Sequence, residues 1–189
     1  MRMVQRWMDL GLETLRENGT TGLRIDRLAR QLGVTKGSFY AHFSSKNDYL
    51  TALCEHWRHQ AMPMDVDRFF EAPGTLADQL LTLSRFVERS ERSRYDFAIR
   101  EMAKVNGCAA EAVAAVTSAR LTFSFEVFRR AGFEEDEARA RGCLLYGWLL
   151  ASVLIQGGLS EDVAEVCRVL GDGASIRRRG ACPGSARLA

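Results

Sequence analysis

An all-α fold of about nine helices is what the sequence predicts: a three-helix helix-turn-helix module at the N-terminus, then a larger helical domain. Three observations carry the prediction. Apolar residues recur at helical spacing along most of the chain. Only three prolines occur in 189 residues, while Leu, Ala, Arg and Glu, all good helix formers, fill long stretches. No segment alternates apolar and polar residues convincingly, as a half-buried strand would. The hydrophobic fraction of 47% allows a sizeable core, in one compact domain or in a small module fused to a larger one.

Residues 1–18 form the first expected helix. Val4, Trp7, Met8, Leu10, Leu12 and Leu15 make one broad apolar stripe, and Gly19 stops it as a C-cap residue would. Residues 20–22 read as a turn. Ile25, Leu28, Ala29 and Leu32 fall at i, i+3, i+4 and i+7, a short second helix that Gly33 ends. Thr35 can cap a third short helix, residues 36–42, with Phe39 and Phe43 pointing one way. Ser44 or Ser45 caps a fourth, running through Tyr49, Leu50, Leu53 and Trp57.

Residues 62–74 hold Pro63 and Pro73 and read as a connector. Residues 75–92 are helical by the stripe Leu76, Leu80, Leu83, Phe86 and Val87. Residues 95–105 make another helix, Asn106 and Gly107 a turn, and residues 109–131 a long helix ending at Gly132. Residues 134–156 make a long helix whose acidic start suits the helix dipole. Ser160, Glu161 and Asp162 open a last helix that ends near Leu170 and is capped by Gly171. Gly, Ser, Arg and one Pro fill residues 172–189, so this tail is expected to be disordered. The expected domains are 1–46, 47–171 and the tail, 172–189.

The net charge of +2 is unevenly spread. Residues 1–50 carry eight Lys/Arg against five Asp/Glu, residues 51–171 fourteen against eighteen, and residues 172–189 four against one. A basic head on an acidic body suits a phosphate-binding module, although ordinary fluctuation gives the same figures. The five cysteines at 54, 108, 143, 167 and 182 form no CxxC pair, and no secretory signal opens the chain. Reduced thiols in the cytoplasm, four of them buried, are expected. Residues 142–160 are uncharged, but their apolar core of about a dozen residues falls short of the ~20 a membrane span needs. A buried helix, and no membrane partner, is the reading.

The run IDRLARQLGVTKGSFYAHF, residues 25–43, places two short helices around a Gly-bearing turn, the helix-turn-helix pattern. Ala29 is small enough for the next helix to cross closely, Gly33 supplies a left-handed turn, and Val34 plugs the angle. Residues 5–53 resemble the DNA-binding domain of tetracycline-repressor (TetR) family regulators. The resemblance rests on the aromatic and apolar first helix, Gly19, Leu28–Ala29, G-V-T-K-G-S-F-Y over residues 33–40, His42–Phe43 and Ser45–Lys46. It covers about a quarter of the chain at motif level; the remainder agrees in helix count and order. One departure is Arg24, where the family usually caps the second helix with Ser or Thr. Either Thr20 or Thr21 serves instead, or Arg24 itself approaches a phosphate.

Chemistry assigns expected roles. Lys36 stands at the front of the recognition helix, where a side chain can reach base edges or phosphates in a major groove. Thr35 is a cap, a phosphate donor through nearby backbone N–H groups, or both. Gly37 allows close backbone approach, and glycine inside a helix costs about 1 kcal/mol, which asks for a reason. Ser38 and His42 share the face opposite Phe39 and Phe43; His42 is otherwise a plain surface residue. Tyr40 resembles the family's phosphate-contacting tyrosine, or packs on the first helix. Lys46 resembles its phosphate-binding lysine. Arg27 lies on the outer face of the second helix, towards the DNA backbone. Phe39 and Phe43 are core.

One recognition helix reads too few base pairs, so a homodimer on a palindromic operator in double-stranded DNA is expected. The dimer surface is placed in the last two helices. Gly147 and Ala151 permit close helix approach, and Leu144, Leu154, Val163, Val166 and Leu170 supply apolar area. The resemblance implies a four-helix bundle between protomers there. It also implies an effector pocket, and an aromatic-lined cavity holding a small apolar effector would draw on Trp57, Phe86, Tyr95, Phe97, Phe123 and Phe128. Plain core is the competing reading for each. Arg100, Glu101, Arg120 and Glu126 either face a ligand or form solvated pairs, and solvation is the expectation.

No catalytic set, metal site, cofactor motif or Gly-rich phosphate loop is found. His56 and His59 sit three apart without further ligands at helical spacing, and surface histidines are expected. The expected function is therefore a sequence-specific DNA-binding transcriptional regulator, a repressor released by a small-molecule effector, and not an enzyme. The alternative is a helix-turn-helix dimer without a small-molecule effector, regulated by a protein partner. A helical adaptor that has lost DNA binding is opposed by the intact run over residues 33–40.

Overall fold

The computed structural model describes residues 3–90, 95–154 and 162–173. They form α1 (Met3–Gly22), α2 (Ile25–Leu32), α3 (Lys36–Tyr40), α4 (Lys46–Ala61), α5 (Val66–Phe70), α6 (Leu76–Arg89), α7 (Asp96–Ala103), α8 (Gly107–Arg130), α9 (Glu135–Leu154) and α10 (Val163–Gly171), with no strand among these residues. The all-α expectation holds. The added element is α5, a single turn in the stretch read as a connector. The Asp65 side chain makes it possible by accepting from the Asp67 amide at 2.7 Å.

Further boundaries differ from the sequence reading, among them Gly107, read as part of a turn but the first residue of α8. The first helix breaks at Gly19 (φ 62, ψ −166), as a C-cap glycine should, but one more turn follows to Gly22. Helix α3 ends at Tyr40 rather than His42, yet the backbone winds on, since the His42 and Phe43 amides both donate to the Phe39 carbonyl at 2.9 Å. The last residues expected for the helix over 134–156, the start of the next helix at Ser160, and the tail from residue 174 lie outside the described residues.

Contacts group the chain into two compact units, Met1–Pro63 with Arg89–Arg120, and Met64–Glu88 with Leu121–Ala189. In the first unit, α1 packs against α2, α4 and α7. Its core takes Trp7, Leu12 and Leu15 from α1, Leu28 and Ala29 from α2, Phe39 from α3, and Tyr49, Leu53 and Trp57 from α4. Ile99, Met102 and Val116 complete it. Each large apolar side chain so buried contributes roughly 1.5–3 kcal/mol. By packing, α4, α7 and the first part of α8 thus join the helix-turn-helix in a unit larger than residues 1–46.

This core also contains a charge. Asp96 is 1% exposed and pairs with Arg120. The expectation of a solvated Arg120 fails here, because the Asp96 carboxylate at the start of α7 draws its guanidinium inward. Glu101 and Glu126 keep to surface pairs, with Lys104 and with Arg129 and Arg130. His56 is likewise half-buried rather than a free surface group: its Nε2 lies 2.7 Å from Gln60 Nε2 and 3.3 Å from Asp9 Oδ1. Cys54 and Cys167 are buried, Cys108 is half-buried and Cys143 exposed, so the helical register buries fewer thiols than expected.

The second unit has its own core of Phe69, Leu80, Phe123, Val127, Phe128, Phe133, Leu145 and Cys167. Arg141 ties α9 to the end of α10 by donating to the Val169 and Leu170 carbonyls at 3.1 and 2.7 Å. Its guanidinium carbon sits 4.4 Å from the centre of the Phe133 ring. No helix among the described residues is long and apolar enough to cross a membrane.

Candidate nucleic-acid interface

The turn between α2 and α3 is set by Gly33 at φ 70, a left-handed conformation that only glycine adopts without strain. The Val34 amide then reaches back to the Ala29 carbonyl at 3.0 Å. From α1, Arg6 Nη2 donates to the Leu32 carbonyl at 3.2 Å and fastens the C-terminal end of α2. Sequence reasoning did not single out Arg6; its position on α1 carries no signal of the carbonyl it meets 26 residues away.

Helix α3 is anchored by aromatic rings. Phe39 is fully buried and meets Trp7, Tyr49 and Phe43 with ring centres 5.3, 5.4 and 5.1 Å apart. The contacts with Trp7 and Tyr49 are edge-on, and such contacts fix orientation as well as depth. With Phe39 and Phe43 inward, the other side of the rod must face out. Thr35, Lys36, Gly37, Tyr40 and His42 are exposed and Ser38 is half-buried. Tyr40 remains 51% exposed although its ring contacts Phe39 edge-on.

Thr35 occupies the N-cap position of α3, with extended backbone, but its side chain makes no capping hydrogen bond. The hydroxyl is thereby left for another acceptor or donor. A Cβ at Gly37 would meet only the Thr35 Oγ1, at 3.6 Å. Nothing inside the fold therefore demands glycine at that helical position. Arg24 stands at the N-cap of α2 with no capping bond either, its exposed guanidinium 3.6 Å from Asp26. Of the two threonines expected to substitute for it, Thr21 instead donates to the Asn18 carbonyl of α1.

Lys46 opens α4, whose first turn is held by a reciprocal cap. The Ser45 hydroxyl accepts from the Asp48 amide at 3.0 Å, while the Ser44 amide and hydroxyl donate to Asp48 Oδ2 at 2.8 and 3.1 Å. Of the two serines named from sequence, Ser45 is the cap. Arg27, Lys36 and Lys46 are exposed, and among the described residues none of them enters an ion pair. Three cations without internal partners on the surface of one helix-turn-helix can neutralise phosphates.

The other expected residues are distributed differently. Trp57 is fully buried in the first unit, where Tyr95 is half-buried and Phe97 is 57% exposed. Phe123 and Phe128 are buried in the second unit, where Phe86 is 54% exposed. A cleft of about 580 Å³ in the second unit is lined by Phe70, Leu76, Ala131, Arg130 and Arg168 among others, and by none of these six aromatics. On α9, Leu144 is 63% exposed and Gly147 is open, with Ala151 and Leu154 half-buried. On α10, Val163 and Leu170 are buried in the unit's own core and Val166 is half-buried.

Comparison with known proteins bears on this head. Residues 8–53 match the family described as bacterial regulatory proteins, tetR family. Over 63 residues the chain is 35% identical to the HTH-type transcriptional regulator SrpR of Pseudomonas putida, covering 33% of this chain and 28% of that protein. The same identity and length relate it to TtgW, an uncharacterized HTH-type transcriptional regulator of Pseudomonas putida, and cover 45% of it. The match thus spans less than half the length of either relative. In fold, the chain is similar to a transcriptional regulator from Rhodococcus sp. Rha1, with a TM-score of 0.68 at 20% identity over 96% of this chain and 100% of that one. It is similar also to FadR of Bacillus subtilis in complex with stearoyl-CoA, with a TM-score of 0.61 at 17% identity over 89% and 98%.

Proposed function

We propose that this chain, whose residues 8–53 match the tetR family of bacterial regulatory proteins, binds a palindromic operator in double-stranded DNA as a homodimer and is a repressor released by a small apolar molecule. The observation that carries the DNA-binding part is the division of α3: Phe39 and Phe43 are buried while Lys36, Gly37, Tyr40 and His42 are exposed. That rod lies along a major groove. Lys36 and His42 meet base edges or phosphates, Ser38 helps at the groove wall, and Gly37 lets the backbone come close. Thr35, Tyr40, Lys46 and Arg27 hold phosphates and so set the register.

Dimer formation uses the outward stripe of α9. Leu144, Gly147, Ala151 and Leu154 fall at helical spacing, and Leu144 is the large apolar side chain most exposed on that helix. Val166 of α10 extends it. Val163 and Leu170 support the interface from behind by holding α10 in place.

An effector is supported by likeness of fold to FadR, whose structure holds stearoyl-CoA. A second reading, control by a protein partner with no small molecule, is favoured by the complete burial of Trp57 and Phe128, which fill space a ligand would need. Thermal shift with a panel of fatty acyl and aromatic compounds separates the two, since a ligand of the native state raises the melting temperature and a filled core gives no response.

Selection of duplexes from a random library by the purified protein tests the main reading. A palindrome with two half-sites about one helical turn apart is expected, bound with a steep salt dependence. Recovery of no motif, with no duplex retained at low salt, overturns it.

A further inference from the structure

We propose that Arg6 is a positioning residue for DNA recognition: by holding the carbonyl end of α2 it fixes the turn from which α3 starts, and so the direction in which α3 presents Lys36 and His42. The inference rests on the reading of the chain as a DNA binder. It concerns one compact unit alone, since α1, α2 and α3 all belong to the first.

A helix leaves its last four carbonyls without an internal partner. At the end of α2 the turn itself serves two of them, because the Gly33 and Val34 amides donate to the Arg30 and Ala29 carbonyls at 3.1 and 3.0 Å. The carbonyl of Leu32, the last residue of α2, is served from α1 by Arg6 Nη2 at 3.2 Å. Arg6 is half-buried and enters no ion pair among the described residues. Its charge lies at the end of a helix where a cation is favoured.

The place of Arg6 on α1 gives this bond its consequence. The next residue is Trp7, fully buried, whose ring centre lies 5.3 Å from that of Phe39 in α3. The Trp7 carbonyl accepts the Tyr49 hydroxyl of α4 at 2.8 Å. Two consecutive residues of α1 thus hold the end of α2, the inner ring of α3 and the first half of α4. Helix α3 has only five residues. A rod that short, seated by Phe39 with Phe43 beyond it, can rock about those rings. A second fixed point at its entrance removes that freedom. That point is the turn at Gly33 and Val34, whose backbone follows directly on the Leu32 carbonyl, and α3 packs on α2 beside it. Binding groups work only when held within about 0.5 Å and 10–20° of their productive geometry, by neighbours that are themselves locked.

The test uses the full chain, the selected operator and a random duplex of equal length. Arg6→Met keeps a long stem and loses every donor. Arg6→Lys keeps a charge and a donor but not the planar fork. All are compared as folded protein, checked by helical circular dichroism. Arg6→Met is expected to lose about tenfold in operator affinity, the scale of one spoiled base contact, while random-duplex affinity and the salt slope match wild type. Arg6→Lys is expected to lose less of the preference, and it decides on the same ratio if Arg6→Met does not fold. A merely structural bond would lower the urea midpoint and leave the operator-to-random ratio unchanged, which overturns the proposal and leaves the regulator reading intact. Random-duplex affinity that falls in step, with a flatter salt slope, overturns it too, since Arg6 would then meet a phosphate itself. A wild type that binds no duplex at low salt overturns both.

Discussion

The Tyr49 hydroxyl donates to the Trp7 carbonyl at 2.8 Å, a buried bond that joins α4 to α1 across 42 residues. The space for it comes from Gly11, where a Cβ would lie 2.0 Å from the Tyr49 oxygen. Burial also pushes the Tyr49 hydroxyl well above the ordinary phenol range, so it stays a donor. Gly11→Ala should gain helix propensity but lose more by overpacking, for a net cost of about 1–3 kcal/mol. Tyr49→Phe should cost about 1 kcal/mol. In the double variant the colliding oxygen is gone, so urea midpoints should show a loss smaller than the sum. A fully additive cycle would refute the fit.

Lys36 and Lys46 should differ in kind. Lys46→Gln is expected to weaken operator and random duplex alike and to flatten the slope of log affinity against log salt by about 0.9 per contact. Lys36→Gln should in addition change which base is preferred at one position of each half-site. Competition binding at several salt concentrations distinguishes the two; indifference of the operator to both substitutions would remove the roles assigned.

Ser45→Ala should destabilise the fold by about 1 kcal/mol, the usual cost of losing an N-cap oxygen. Since Lys46 sits in the same first turn, operator affinity should fall alongside it. Chemical denaturation and duplex titration of one preparation read both effects, and unchanged stability would contradict the cap.

Burial pushes the Cys54 thiol up to about 12 and the Cys167 thiol up to about 11, from an ordinary value of 9. Both are then protonated in the folded chain at pH values where the unfolded chain has lost the proton. The unfolded state binds fewer protons there, so stability should be complete below pH 9 and fall as pH rises towards 12. Cys54→Ala should flatten part of that fall. Peptide mapping after brief alkylation at neutral pH should find Cys143 modified in the native chain, with Cys54 and Cys167 protected until denaturant is added.

Leu144→Glu should split the dimer, because it places a charge on the most exposed large apolar residue of the outward stripe of α9 without touching the protomer core. Sedimentation should show a folded single chain, and operator binding should fall far more than random duplex binding. A variant that remains dimeric would move the interface elsewhere.

Much of the head was legible from local patterns. Gly33 marked its turn, the Phe39/Phe43 spacing marked the inner face of α3, and the serines before Lys46 marked a cap, because each of these is decided within one or two helical turns. The connector hid α5, since Pro63 and Pro73 mask a turn that an aspartate side chain creates. Thiol burial was overestimated because composition does not give each cysteine's place around its helix.

Periodicity, glycine placement and motif spacing by themselves determined an all-α chain with a helix-turn-helix near its N-terminus and the side of α3 that turns outward. Only the tertiary structure decided that Arg120 is drawn to a buried Asp96, that Gly11 makes room for Tyr49, and that Val163 and Leu170 are used within the protomer. Those facts depend on residues far apart in the chain meeting in space, or on which face of a helix finds a neighbour. Hydrophobic spacing along one helix carries no information about either.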